Sequence, residues 1–189
     1  MGAFTVIPQD TFQKLQLDAG VLLTTFDPTA PAVTDANIIC ATTGGIQVTA
    51  TPTFTDMGED VDNCPNNMKE LKHLDGWECT ISTTGLGTSP ALIAKALGAA
   101  AVGTGADANK VTLDAPGIVE EARFSTIWWV GDRADGGCVA AKLDNALATG
   151  GFSLQTGKNA KGQTSITFTG HVSMSAQTTM PMEFYSIDA

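Results

Sequence analysis

Ile46-Gln47-Val48-Thr49-Ala50-Thr51-Pro52-Thr53-Phe54-Thr55 is the stretch whose reading decides the fold class. Apolar Ile46, Val48, Ala50, Pro52 and Phe54 alternate with Gln47, Thr49, Thr51, Thr53 and Thr55, which is the two-residue period of a strand with one face buried and one face wet. Proline offers no N–H to a ladder, so Pro52 predicts a sheet edge or a bulge. An exposed edge carries a row of unpaired N–H and C=O groups and invites another chain.

The same period recurs outward from this strand. Trp77, Cys79 and Ile81 alternate with Glu78, Thr80 and Ser82, which assigns Cys79 to the core. Thr164, Ile166, Phe168 and Gly170 alternate with Ser165, Thr167 and Thr169, and the β-rich stretch Pro181 to Ile187 follows. These two C-terminal stretches are expected to form an antiparallel pair. Lys110 to Asp114, Arg123 to Val130 and Val139 to Leu143 read as further strands, separated by turn signals such as Asp135-Gly136-Gly137 and Gly150-Gly151. Trp128 and Trp129 are neighbours in a strand and must face opposite sides. Trp129 is the candidate to leave the core for a subunit interface, the alternative being that both are covered within one sandwich.

One segment reads as helix, at about residues 89–98. Ser89 supplies an N-cap, Pro90 the first helical position, Leu92, Ile93, Ala96 and Leu97 the helical spacing, and Gly98 the stop. The expected fold is mainly β: an antiparallel β-sandwich or barrel with one flanking α-helix. The 189 residues suit a single domain. Within it an N-terminal arm is expected at about 1–40, and a long polar loop at about 56–75. Phe26 to Asn37 and Asp56 to Asp75 resist assignment to regular structure, and loops of that length are usually functional or disordered.

Ten Lys plus Arg stand against twenty Asp plus Glu, a net charge of −10, so the average surface repels phosphate, which argues against tight nucleic-acid binding. The longest apolar stretches, such as Leu92 to Val102, fall short of the ~20 residues that cross a bilayer. Met1 to Asp10 holds no Lys or Arg ahead of an apolar run, so no secretory signal is read and synthesis in the cytosol is expected. Cys40, Cys64, Cys79 and Cys138 form no Cys-x-x-Cys pair, which argues against a redox motif and a zinc ribbon. Free, mostly buried thiols are expected, with a bridge as the alternative that an even count permits.

Catalytic and metal chemistry finds little purchase. Asp56, Glu59, Asp60 and Asp62 do not follow the alternate-position spacing of a calcium loop and read as a solvated acidic segment. His73 lies between Cys64 and Cys79 at spacings that fit no chelating pair. His73 and His171 are the only histidines, so the usual general base is scarce, although a Cys–His pair can always meet in space. Gly85-Leu86-Gly87 and Gly103-Thr104-Gly105 read as turns rather than phosphate cradles. No catalytic residue, metal or cofactor is predicted, and the chain is expected not to be an enzyme.

Several stretches carry a family likeness by their order along the chain. They are Asp18-Ala19-Gly20-Val21-Leu22-Leu23, Phe26-Asp27-Pro28, Thr43-Gly44-Gly45-Ile46, then Asp60-Val61-Asp62-Asn63-Cys64-Pro65-Asn66-Asn67 with Lys69-Glu70-Leu71-Lys72 and Trp77-Glu78. Later come Leu97-Gly98-Ala99, Trp128-Trp129-Val130-Gly131-Asp132, Asn145 to Phe152, Lys161-Gly162, Phe168-Thr169-Gly170-His171 and Pro181-Met182-Glu183. In this order the chain resembles, over most of its length, the major tail tube proteins of long-tailed, non-contractile bacteriophages. It departs from the pattern in the Gly- and Ala-rich run from Gly98 to Ala108.

The resemblance implies a β-sandwich whose sheet, repeated around a hexameric ring, closes into a barrel. Rings stack head to tail into a tube whose lumen conducts DNA during ejection, since a heterologous contact need not close. It implies as partners other copies of the chain, a tape measure protein, tail terminator or distal tail proteins, and DNA passing transiently. The implied location is the virion tail, assembled in the host bacterial cytoplasm. On this reading the 56–75 loop reaches an adjacent subunit or the next ring through Asp60, Asp62, Asn63, Lys69 and Glu70, the alternative being a solvated loop. Carboxylates are expected to line the lumen and keep DNA sliding. Rival readings are a β-sandwich binding module for carbohydrate or protein, a hydrolase built on an unrecognised Cys or acidic pair, and the tube subunit of a contractile injection apparatus.

Overall fold

A computed structural model describes residues 7, 8 and 10–189. Along the described chain run β1 (Gln16–Leu23), β2 (Ala41–Asp56), β3 (Lys72–Leu86), α1 (Pro90–Leu97), β4 (Ala100–Val102), β5 (Val111–Leu113), β6 (Ser125–Arg133), β7 (Cys138–Ala148), β8 (Leu154–Gln155), β9 (Gln163–Gly170) and β10 (Met182–Ile187). The main sheet has eight antiparallel strands in the order β1-β6-β7-β9-β3-β2, with β10 added to β7 and β8 to β9, while β4 and β5 form a separate hairpin.

One strand joins the two halves of this sheet. Cys138 to Leu143 of β7 lies between β6 and β10, whereas Ala146 to Ala148 lies beside β9. The change of partner falls at Asn145, whose φ of 46° bends the strand and whose side-chain amide donates to the His171 carbonyl at 3.0 Å. A strand that turns from one layer into the next makes the corner of a sandwich. At the other end of the order, Leu23 bridges to Ile38, and the Ile39 N–H donates to the Leu22 carbonyl at 2.9 Å. The sheet therefore curls towards a barrel without closing.

Successive strand residues point to opposite faces, so Leu22 and Leu23 enter different cores. Leu22 joins Ile81, Ile127, Leu143, Ile166 and Phe168 beneath Leu92 and Ala96 of α1. Leu23 joins Trp128, Val130 and Ala140, with Phe26 and Tyr185 each 5.4 Å from the Trp128 ring. The helix starts and stops as its sequence predicts: the Ser89 hydroxyl accepts the Leu92 N–H at 3.3 Å, and Gly98, at φ 73°, donates to the Ala94 carbonyl at 3.1 Å.

The architecture is the mainly β, antiparallel, sandwich-like fold with one helix that the sequence predicts. Three expectations need correction. The C-terminal strand does not pair with Thr164 to Gly170: β10 pairs with β7 from Met182↔Leu143 to Ile187↔Cys138, because β9 already has β3 on one side and β8 and β7 on the other. The 56–75 segment is not all loop, since the ladder of β2 and β3 runs to Asp56↔Lys72 and leaves only residues 57–71 between the strands. Gln16–Leu23, inside the expected N-terminal arm, is a strand of the main sheet. Residues 1–6 and 9, which include most of the stretch read for a secretory signal, lie outside the described residues.

All four cysteines are free thiols, with Cys79 and Cys138 buried and Cys40 and Cys64 partly so. No helix among the described residues is long and apolar enough to cross a membrane.

Candidate functional site

β3 has two partners over only part of its length. From Thr80 to Leu86 it lies between β2 and β9; from Glu78 to Lys72 β2 alone accompanies it. The β2–β3 hairpin thus leaves the body of the sheet as a two-stranded arm. Burial changes at the same point, because alternate residues of β3 are buried from Cys79 onward and nearly every residue before it is exposed.

The apolar face does not stop where the sheet stops. Val48 lies across from Ile81 and Ala50 across from Cys79, all packed in the core, and the next pairs on the same face are Pro52 with Trp77 and Phe54 with Leu74. Phe54 is 52% exposed, Leu74 44% and Trp77 43%, so core-type side chains continue outward with about half of each open to solvent. Sequence alternation places Pro52, Phe54 and Trp77 on this stripe, Leu74 joins it through the register shift between Thr53 and Phe54, and only the topology shows where its cover ends.

The tip beyond the arm is ordered by one carboxylate. Asp56 accepts the Asn67 N–H at 2.7 Å and the Gly58 N–H at 3.1 Å, and these hydrogen bonds hold its carboxyl below the ordinary carboxylate range. The Met57 N–H donates to the Leu71 carbonyl at 2.9 Å, and the Lys72 ammonium to Asn67 Oδ1 at 3.0 Å. Gly58 is buried where a Cβ would meet Cys64 Sγ at 2.8 Å and Leu71 Cδ1 at 2.9 Å, so a larger residue there would have to displace those two side chains. At the base, Asp75 accepts from the Thr55 hydroxyl at 2.7 Å and meets His73 Nδ1 at 2.8 Å.

The six residues singled out from sequence are not brought together. Asp60, Asp62 and Asn63 are exposed on the tip, and Lys69 pairs there with Glu70 at 3.4 Å, both exposed. Trp129 is elsewhere, on β6: half-buried against the core, it donates its indole N–H to the Ala19 carbonyl at 3.0 Å. Sequence reading missed Phe54, Leu74 and Trp77 as an uncovered set.

Two further surfaces lie open. Among the described residues no strand pairs with the outer edge of the sixteen-residue β2 or with that of β10. The wet face of β2, β3 and β9 presents Gln47, Thr49, Thr51, Thr80, Ser82, Ser165 and Thr167, with Glu78 the one ionised group among these registers. It is a hydroxyl surface without a cation.

Sites for small-molecule chemistry are modest. A cavity of about 410 Å³ under α1 is lined by Ile39, Leu92, Lys95, Ser125 and Phe168 among others. Burial pulls the Lys95 ammonium down, and it reaches Ser125 Oγ at 3.4 Å. Arg123 at the same cavity is held bidentately by Asp114 at 2.7 and 2.8 Å. Among the described residues no three His, Cys, Asp or Glu side chains converge on a metal-binding point. No protein-family model matches the chain, and no curated protein matches it.

Proposed function

We propose that this chain is a structural subunit that works as a self-assembled polymer, and that the polymer is the tail tube of a long-tailed, non-contractile bacteriophage. The observation that carries the first part is the arm: a stripe of core-type side chains runs past the end of the sheet and is exposed at Phe54, Leu74 and Trp77. Exposed apolar surface of this kind marks a place for a partner. The unpaired outer edges of β2 and β10 support the same reading, because bare ladder edges are a hazard in a monomer and a means of growth in a ring. The second part rests on the sequence resemblance.

A conduit for DNA is compatible with the wet face of β2, β3 and β9. Hydroxyls and one carboxylate offer phosphate no fixed cation, so a duplex passing over them would meet no persistent contact. On this proposal hydroxyls rather than carboxylates dominate the lumen. No catalytic role is proposed, and tape measure, terminator and distal tail proteins are the proposed partners at the ends.

Electron microscopy of the purified chain at rising concentration tests the proposal. Hollow tubes of uniform width are expected. A monodisperse monomer at every concentration would overturn it and leave the binding module, for which the cavity under α1 is the specific observation. Deleting Val61 to Leu71 is a narrower test: a folded variant that still forms normal tubes removes the tip from the contact.

A further inference from the structure

We infer that the cavity under α1 is a binding site for a small apolar monocarboxylate, with the Lys95 ammonium and the Ser125 hydroxyl taking the carboxylate and the apolar wall taking the body of the molecule. The inference goes beyond the polymer reading and does not depend on it: none of the residues lining the cavity is on β2, β3 or β10, which carry the arm and the open edges.

Small residues make the space. Ala94 of α1, Ala100 of β4, and Ala146 and Ala148 of β7 line a cavity of about 410 Å³, which is the size of a ligand pocket and far larger than the voids of a close-packed interior. Leu92 and Phe168 add apolar wall, so water inside finds few hydrogen-bond partners. Ala91 and Ala122 also line the cavity and are exposed, which marks where it opens to solvent.

Charge selects the ligand. Lys14, Lys69 and Lys142 pair with carboxylates, Lys72 is engaged by Asn67, and Lys110, Lys158 and Lys161 are exposed to water. Lys95 is the one partly buried lysine without a carboxylate partner among the described residues, in a chain with twice as many acids as bases. Its hydrogen bond is to Ser125 Oγ at 3.4 Å, which leaves the hydroxyl proton of Ser125 free to donate. Arg123, at the same cavity, is already neutralised by Asp114 at 2.7 Å and Glu120 at 3.6 Å. A half-buried ammonium beside an apolar wall suits an anion that carries an apolar body, because each part satisfies what the other surface lacks.

Isothermal titration calorimetry on the full chain tests the site, with octanoate as the probe. The controls are 1-octanol, which has the tail without the charge, and acetate, which has the charge without the tail. Octanoate should bind saturably with a Kd of about 1 mM or tighter, within the bound for about ten non-hydrogen atoms. Octanol and acetate should each bind at least about tenfold more weakly. Lys95→Met keeps the apolar stem and removes the charge, so it should weaken octanoate by about tenfold or more and leave octanol within about threefold. A lysine that served only the last turn of α1 would alter the melting temperature and leave this selectivity untouched. Ser125→Ala should weaken octanoate by about threefold, and circular dichroism checks that each variant is folded. Phe54→Ser with Trp77→Ser, which strips the arm, should bind octanoate as the parent does. Absence of saturable binding by the parent overturns the site, as does equal binding of octanoate and octanol, a measurement that needs no variant. So does a folded Lys95→Met chain that holds octanoate as tightly as the parent, or an arm variant that loses it.

Discussion

Pro52 lies directly across the ladder from Trp77, two registered pairs beyond the Ala50–Cys79 pair that ends the covered core. Ala50 and Cys79 have the rest of the sheet over them, and Trp77, two residues on, is 43% exposed. On the proposed assembly, the pairs up to this point hold the monomer and those beyond it hold copies together.

Phe54→Ser with Trp77→Ser should leave the melting temperature of the monomer within a few degrees, because exposed positions contribute about 0.5 kcal/mol or less each to folding. Assembly should be lost, since each side chain forgoes about 1.5–3 kcal/mol of burial at every contact. Thermal melts together with sedimentation separate the two effects.

Phe168→Ala should behave in the opposite way. Phe168 is among the largest fully buried side chains, and its truncation should cost about 3–5 kcal/mol in urea unfolding.

Thr164→Val should stabilise the protein by about 1 kcal/mol. Thr164 is fully buried, its Oγ1 has no hydrogen-bond partner among the described residues, and an isosteric methyl removes that unsatisfied group. A lower urea midpoint for the valine variant would contradict the assignment.

Gly98→Ala should destabilise by at least about 2 kcal/mol. The residue sits at φ 73°, and a Cβ there would meet the Ala148 carbonyl oxygen at 2.3 Å, a backbone atom with no freedom to retreat. Ser89→Ala, at the other end of the same helix, should cost about 1 kcal/mol.

The tip should loosen in acid while the sheet holds. The carboxyl of Asp56 is held below its ordinary value by the N–H groups of Asn67 and Gly58, so its contribution is complete above the unfolded value of about 3.9 and fades as pH falls through the lower folded value. The protection of the Asn67 amide against hydrogen exchange, taken relative to its intrinsic rate at each pH, should fall as the pH drops below the ordinary carboxylate value of about 3.9. Asp56→Asn should exchange faster at neutral pH and show no such acid step.

Much of this fold is legible in short-range sequence, and what is not has a physical reason. Two-residue alternation over Ile46 to Phe54 and the Ser89, Pro90 and Gly98 signals report local backbone choices, so they place β2 and α1 well. The partner of Met182 to Ile187 depends on which long-range edge is free, and periodicity carries no such information. Order in the tip depends on one carboxylate binding amides two and eleven residues away, which composition reads only as an acidic loop. The candidate face is written in the same letters as the core: Phe54 and Trp77 differ from Val48 and Ile81 only in what the chain places over them.

The bend at Asn145 makes one continuous segment a member of both half-sheets. The halves cannot part like the leaves of a book, because opening that seam means tearing β7 from β9 or from β6. A force applied to the C-terminal strand therefore reaches both leaves through β7, the one strand with which β10 pairs among the described residues.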